Sequence, residues 1–329
     1  MNPSTFLAPV LEAVWEAAGC CERIADDFRK QDHHTKEDAS PVTIADYCSQ
    51  ALILHRLAEI TPDIGVVAEE QGDDLRGRPD MCARVAAFAQ SCEPSLTPDR
   101  IPEFLDRGNH PGGDRGTFWT LDPIDGTKGY LRGGQYAIAL ALIENGRPVF
   151  GILGCPRYAA DDSGRVGVLF YGGESLSAAM VTSPGAKPRT IHVSEALQTC
   201  DAKLCESVES GHTSHDRSAQ LIEKLGLSKD VVRMDSQAKY AAVAHGAAGV
   251  YMRLPVKKGY REKIWDHAAG VAVIQAAGGK VTDLNGKALD FGQGETLSKN
   301  RGVLATNGAL HPPALAVLKT ITPPESAWE

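Results

Sequence analysis

The stretch from Trp119 to Gly129 constrains the fold of this chain more than any other. Three of the four residues from Phe118 to Leu121 are apolar, which predicts a short buried strand. Pro123 has no backbone N–H and cannot continue a central strand. We therefore expect the strand to stop at Asp122, so that Asp122 and Asp125 emerge from the turn that follows.

The two residues after these acids favour the binding of an anion. Gly126 and Thr127 are typical of a helix start, where backbone N–H groups are free to bind negative charge. Two carboxylates beside such amides are useful where a divalent cation lies between the carboxylates and a phosphate. The alternative is an ordinary turn, since Asp-Pro and Asp-Gly pairs are common in loops.

Five segments resemble, in order, motifs of the inositol monophosphatase superfamily of metal-dependent, lithium-sensitive phosphomonoesterases. The fourth of them, Asp235 to Tyr240, narrows the resemblance toward the 3′(2′),5′-bisphosphate nucleotidases. The opening stretch of the chain is similar as well. The five segments are 40–47 (SPVTIADY), 68–70 (AEE), 122–127 (DPIDGT), 235–240 (DSQAKY) and 263–270 (KIWDHAAG).

The resemblance implies a set of metal ligands and a catalytic pair. Carboxylates this numerous cannot converge without cations, and ligation by oxygen alone points to Mg²⁺ rather than Zn²⁺. The family pattern implies two or three Mg²⁺ ions, with Asp46 and Thr127 positioning and activating the attacking water. The implied metal ligands are Glu69, Asp122, Asp125, Asp266 and the Ile124 carbonyl.

Two of these acids, Asp46 and Glu69, also have a local interpretation. The spacing of apolar residues predicts a helix over 43–60, with Asp46 in its first turn, where the helix dipole favours an anion. Taken alone, Asp46 is better explained by that dipole, and the resemblance reverses this preference. The short strand 65–68 delivers Glu69 and Glu70 at its end, where paired acids more often line a site than fill a core. By resemblance, Glu69 contacts the metal directly and Glu70 supports it.

The resemblance further implies the residues that bind a nucleotide and its 5′-phosphate. Ser236 and Lys239 lie one helical turn apart, so both side chains can face one phosphate at a helix N-terminus. A single exposed lysine is nevertheless common on helices, and His212 and His215 are equally consistent with a surface cap. The implied substrate contacts are Gly126, Thr127, His212, Ser236, Lys239, Arg253 and Tyr260.

The pattern of helices and strands predicts an α+β part followed by an α/β part. Asn145-Gly146 between two apolar runs indicates a β-hairpin. From about residue 195 onward, strand and helix patterns alternate. We expect a metal-binding α+β lobe with an antiparallel sheet over 1–195 and an α/β substrate-binding lobe over 196–329. A helix over 263–277 places Asp266 near its start. The resemblance implies a layered α-β-α-β-α sandwich.

Composition and charge limit the partners of this chain. The net charge of −8 gives no general attraction for nucleic acid or an anionic membrane, so a phosphorylated substrate needs local positive charge. Eight cysteines without a C-x-x-C pair fit reduced, buried thiols in a cytosolic protein. The sequence contains no secretion signal and no apolar stretch of the roughly 20 residues that a membrane span needs. We expect a cytoplasmic monomer or weak dimer.

These observations favour a 3′-phosphatase acting on adenosine 3′,5′-bisphosphate, with AMP and phosphate as products and 3′-phosphoadenylyl sulfate as a further candidate substrate. The chain lacks the G-x-S-x-G and C-x5-R patterns of covalent nucleophiles, so a metal-activated water is the expected nucleophile. Two alternatives stay open: a phosphatase of inositol phosphates or polyphosphates, and a nucleotide-binding sensor without catalysis.

Overall fold

The computed structural model describes residues 3–31, 41–159, 166–208, 215–255 and 259–322. The α-helices in these ranges are α1 Leu7–Gln31, α2 Pro41–Ile60, α3 Pro79–Ala89, α4 Ile101–Leu105, α5 Thr127–Leu131, α6 His215–Leu225, α7 Ala238–Ala244, α8 Ala268–Ala276 and α9 His311–Ile321. The β-strands are β1 Gly65–Ala68, β2 Thr117–Asp125, β3 Ala137–Glu144, β4 Arg147–Cys155, β5 Val168–Gly173, β6 Leu176–Val181, β7 Arg189–Thr190, β8 Leu204–Glu206, β9 Val232–Arg233, β10 Val250–Arg253, β11 Lys280–Thr282 and β12 Val303–Thr306.

The strands form two sheets. Strands β1 to β7 lie in sequence order in a seven-stranded sheet, which is antiparallel except for the parallel pair β1 and β2. The second sheet has the order β11-β12-β10-β8-β9 and contains both parallel and antiparallel pairs. The division of the chain into two lobes at residue 195 stays a prediction.

Helices and sheets alternate in five layers, which confirms the predicted α-β-α-β-α sandwich. Helices α1 and α2 cover one face of the first sheet, α7 and α8 lie between the sheets, and α6 and α9 cover the second sheet. The side chains of strand β3 show how the first sheet is covered on both faces. Ile138, Leu140 and Leu142 face α1 and α2. Ala139 and Ala141 face α8 on the other side. Alternate side chains of one strand thus fill two different cores.

Small residues let α8 approach the first sheet closely. A Cβ atom added to Gly151 on β4 would lie 2.5 Å from the Ala269 carbonyl oxygen in α8. On the other side of α8, a Cβ on Gly270 would lie 2.2 Å from the Tyr240 ring. Helix α8 is therefore held between the two sheets at a distance set by glycine and alanine.

Strand β2 is longer than the sequence predicts. We expected it to stop at Asp122, but it continues to Asp125. The register with β3 shifts between Asp122 and Asp125, so Pro123 falls in a bulge where its missing N–H costs no ladder hydrogen bond. The two acids therefore belong to the irregular end of a strand rather than to a turn after it.

Two other predicted positions are also corrected. Helix α2 begins at Pro41 rather than residue 43, which places Asp46 beyond the first turn. Helix α8 begins at Ala268 rather than residue 263, so Asp266 lies in the turn before the helix. The hairpin at Asn145-Gly146 is confirmed, with φ values of 50° and 74° that suit a two-residue turn.

The cysteines and the helices bear on two further expectations. All eight cysteines are free, and six are buried as predicted, whereas Cys92 is half-buried and Cys200 is exposed. None of the helices in the described ranges has both the length and the apolar character that crossing a membrane requires.

Candidate active site

The parallel pairing of β1 and β2 brings the first acids together. Ala68 pairs with Leu121, and the Glu69 backbone N–H donates to the Leu121 carbonyl at 3.3 Å. Because parallel strands end at the same edge of a sheet, Glu69 and Asp122 follow these residues side by side. Asp125 ends the bulged part of β2, one residue before the left-handed Gly126.

A cavity of about 370 Å³ opens at this edge and extends to the second sheet. It brings together every predicted metal ligand and every predicted substrate contact except His212, which lies outside the described residues. The side chain of His215 is likewise outside the description. The cavity is lined by Glu69, Asp122, Ile124, Asp125, Gly126, Thr127, Lys128, Gly129, Ser207, Asp235, Ser236, Gln237, Lys239, Tyr251, Arg253, Tyr260 and Asp266.

The carboxylates of the cavity repel one another. Burial and the charges of Glu69, Asp125 and Asp266 raise the pKa of Asp122, whose side chain is only 2% exposed. Reduced hydration at the cavity wall and the charges of Asp266 and Glu70 raise the pKa of Glu69 to about 8, although its side chain is open to the cavity. Facing acids in this number are stable as anions only with positive charge between them, which suits hard divalent cations.

Asp46 lies beside these acids but does not line the cavity. It is 4% exposed, and burial together with the charges of Glu70 and Glu69 raises its pKa. The Thr127 hydroxyl donates to the Ile124 carbonyl at 3.4 Å and does not bond Asp46 directly. The predicted cooperation of Asp46 with Thr127 in positioning a water stays a prediction.

Arg253 connects Asp266 to a buried ion-pair cluster. Its Nε lies 2.7 Å from Glu262 Oε2, and its Nη2 lies 3.5 Å from Asp266 Oδ2 and 3.3 Å from the Tyr260 hydroxyl. His267 Nε2 lies 3.1 Å from the same Glu262 oxygen. Despite burial, Arg253 and His267 together lower the pKa of Glu262 to about 2.

The cluster of Glu262, Asp266 and His267 is close enough to hold a metal ion. Arg253 and His267 already occupy the Glu262 carboxylate, however, so Asp266 is the member best placed to serve an ion in the cavity. Burial and the charge of Asp125 raise the pKa of Asp266 to about 6, while Arg253 opposes the shift. Asp266 is therefore attracted by Arg253 and repelled by Asp125.

Ser236 and Lys239 both reach the cavity, but not from one helical turn as predicted. Ser236 precedes α7 in a left-handed conformation with φ 68°, and its hydroxyl accepts the Ala238 backbone N–H at 3.1 Å. Lys239 Nζ folds back to the Ser236 carbonyl at 2.7 Å. Burial lowers the pKa of Lys239, which lies 5.5 Å from the Tyr251 ring centre. The loop before α7 presents Ser236, and the first turn of α7 presents Lys239.

A sequence profile described as the Inositol monophosphatase family matches residues 4–322. The chain belongs to this family. Its members are generally metal-dependent, and the described residues include acidic groups able to hold a metal ion.

Several relatives in the family are similar over most of their length. A protein of Schizosaccharomyces pombe named 3′(2′),5′-bisphosphate nucleotidase is 40% identical, covering 82% of this chain and 81% of its own. A protein of the same name from Oryza sativa is 38% identical and covers 97% and 95%. The solved structure of an inositol monophosphatase from Anabaena (Nostoc) sp. PCC 7120 covers both chains completely, with a TM-score of 0.64 and 24% identity.

Some residues in and beside the cavity of this family member escaped the sequence analysis. Asp235 and Gln237 lie within a motif that we recognised without assigning them roles, and Glu262 directly precedes another. Asp235 is buried and pairs with Arg132 at 2.5 Å. Ser207 follows a three-residue strand whose pattern carries no signal of a site.

Proposed function

We propose that this protein is a 3′(2′),5′-bisphosphate nucleotidase, a phosphoric monoester hydrolase that converts adenosine 3′,5′-bisphosphate to AMP and phosphate. The relatives of that name support the proposal through their identity and coverage. The observation that carries it is the composition of the cavity. Its lining contains acids, among them Asp122 and Asp125, and also the cations Lys239 and Arg253.

A cavity lined by both acids and cations suits a substrate with two phosphates. A phosphate beside the acids is repelled by their negative charge, so it can bind there only through bridging cations. The second phosphate is not cleaved and can be bound by protein cations, of which Lys239 and Arg253 are already held in place by their contacts with Ser236 and Glu262. An inositol monophosphate carries no second phosphate for these cations to bind.

We propose Mg²⁺, in two or three ions, as the cofactor, because the donors are hard oxygens. Bound Mg²⁺ supplies positive charge that neutralises phosphate oxygens and lowers the pKa of water. The residues proposed to hold it are Glu69, Asp122, Ile124 through its carbonyl, Asp125 and Asp266.

The remaining roles belong to side chains around the scissile phosphate. Asp46, held beside Glu69 and Glu70, orients the attacking water together with the Thr127 hydroxyl and accepts its proton. The N–H groups of Gly126 and Thr127 bind the phosphate at the end of β2. Tyr260 closes the opposite wall next to Arg253.

A phosphate-release assay tests the proposal. The substrates are adenosine 3′,5′-bisphosphate, 3′-phosphoadenylyl sulfate and inositol 1-phosphate, each with Mg²⁺, with Mg²⁺ plus Li⁺, and with chelator. We expect Mg²⁺-dependent, Li⁺-inhibited turnover that is fastest on a nucleotide. Faster release from inositol 1-phosphate would replace the proposal with the inositol-phosphate alternative, and tight nucleotide binding without turnover would identify a sensor.

We also propose that the protein acts in the cytoplasm as a monomer or weak dimer. Its eight free cysteines support a reducing compartment. Fractionation of the source cells tests the compartment, and light scattering of the purified protein tests the oligomeric state.

A further inference from the structure

Gln237 connects Asp125 with the segment that carries Asp266, and both acids line the cavity. Its backbone N–H donates to Asp125 Oδ2 at 2.5 Å. Its side-chain Nε2 donates to the Trp265 carbonyl at 2.8 Å, one residue before Asp266. Its Oε1 accepts the Gly270 backbone N–H at 3.2 Å. A single residue thus bonds an acid of the first sheet and both ends of the segment that carries the other acid.

We propose that Gln237 is a positioning residue, which sets the separation of the Asp125 and Asp266 carboxylates and thereby the affinity of the cavity for divalent cations. The inference rests on the proposed function, because it takes both acids as ligands. Gln237 is not among the expected metal ligands or substrate contacts, so the inference gives a role to a further residue of the cavity.

The location of Asp266 explains why such a residue is needed. Asp266 lies in a turn between an isolated bridge at Lys263 and the start of α8, so no sheet ladder fixes its height above β2. The first N–H groups of a helix lack partners within the helix. Gln237 supplies one for Gly270 and, with the same amide group, holds the turn at Trp265.

Burial makes this contact costly to lose. Gln237 is 1% exposed, so a substitution that removes the amide leaves the Trp265 carbonyl and the Gly270 N–H unpaired. The turn is then free to move in order to find other partners. Any movement changes the distance from Asp266 to Asp125, whose carboxylate still receives the Gln237 backbone N–H.

The test is the binding of Mg²⁺ alone to the substrate-free protein, measured by titration calorimetry. Gln237→Met keeps the length of the side chain and removes both polar groups. We expect Mg²⁺ affinity to fall by about 10- to 100-fold, the range for residues that orient metal ligands. In turnover assays, the Mg²⁺ concentration for half-maximal activity should rise in parallel, while KM at saturating Mg²⁺ changes little.

Asn307→Leu is the matched control. Asn307 is also a buried amide, and it donates to the Ser194 and Ala196 carbonyls while accepting the Leu310 N–H. It does not line the cavity. This variant should lose thermal stability, as Gln237→Met does, yet bind Mg²⁺ with wild-type affinity. An equal loss of affinity in both variants would mean that general destabilisation, not positioning, controls binding.

A second variant covers the case in which Gln237→Met does not fold. Gln237→Asn stays polar but is one methylene shorter, so its amide cannot reach both Trp265 and Gly270, and we expect the same direction of change. Wild-type affinity in either folded variant overturns the inference while leaving the proposed function intact. Absence of Mg²⁺ binding by the wild-type protein would instead refute the proposed function itself.

Discussion

Gly126 is the position at which the geometry of the cavity makes the sharpest prediction. It follows Asp125 with φ 88° and ψ 41°, in the left-handed region, where a side chain is disfavoured. A Cβ atom added there would lie 2.9 Å from Ser236 Cβ and 3.2 Å from Ser236 N. Gly126→Ala therefore combines backbone strain with a collision against the loop that contains Ser236 and leads into α7.

The two effects can be separated in magnitude. An L-residue in the left-handed region costs about 1–2 kcal/mol. Forcing an extra methyl group into a packed contact costs about 1–3 kcal/mol more. Gly133 provides the matched control, because it has φ 75° but a Cβ atom added to it would meet nothing within 4 Å. We expect Gly133→Ala to be destabilised only by backbone strain. Gly126→Ala should be destabilised both by backbone strain and by the packing collision.

Urea unfolding of the two variants measures these contributions, and kcat/KM for adenosine 3′,5′-bisphosphate measures their effect on the cavity. Gly126→Ala should be less stable than Gly133→Ala by about 1–3 kcal/mol. It should also lose activity, whereas Gly133→Ala should stay within about twofold of wild type, since no new contact is made. Equal stability and equal activity of the two variants would refute the close approach of Gly126 to Ser236.

Four other predictions concern the acids, the cation and a buried histidine. Asp122→Asn should abolish phosphate release at saturating Mg²⁺ but raise the melting temperature in chelator, because one of the repelling charges is gone. Asp46→Asn should lower kcat by about 100-fold with little change in KM, as for the loss of a positioned base. Lys239→Met should lower kcat/KM for the bisphosphate by roughly 10- to 150-fold and barely affect adenosine 3′-phosphate, because a charge-assisted contact is worth about 1.5–3 kcal/mol. Burial lowers the pKa of His311 to about 4, so the unfolded chain binds its proton first. The contribution of this one side chain to stability should fall by about 3 kcal/mol from pH 6.5 to pH 4, measured as the difference between the urea unfolding of wild type and of His311→Gln at the two pH values.

Each of these has an outcome that would contradict it. Near wild-type turnover of Asp122→Asn would remove it from the ligand set, and a loss of affinity without a loss of rate in Asp46→Asn would make it a binding residue. Equal losses on both nucleotides would assign Lys239 to the fold or to the scissile phosphate. An unchanged pH dependence in His311→Gln would show that other groups control acid unfolding.

Local patterns predicted much of the fold. Asn145-Gly146 specifies its own turn, and the apolar strand before Glu69 needs no distant partner to be recognised. The end of β2 was not predictable in the same way, because whether Pro123 ends a strand depends on the bulge that the β3 pairing accommodates. The start of α8 is similar, since a distant side chain, Gln237, supplies one of its first partners.

The acids that line the cavity were singled out from motifs, but their surroundings were not predicted. Nothing in the spacing of Arg253 and Glu262 indicates that they form a buried pair with His267, because the contact joins a strand to an irregular segment. Similarly, the left-handed Ser236 follows from packing against Gly126 rather than from its own residue type. Contacts between distant segments determine these features.

The close packing of α8 against the first sheet has a consequence for how this protein tolerates change. Gly151 and the alanines of β3 carry no chemistry, yet they determine how deeply α8, and with it Asp266, lies above the acids of β2. A methyl group added at Gly151 would push α8 away from the first sheet and widen the proposed ion site. Residues that do not contact the substrate, such as Gly151, are thus restricted in size, just as the acids are restricted in charge. A saturation mutagenesis library should therefore lose activity at both groups of positions.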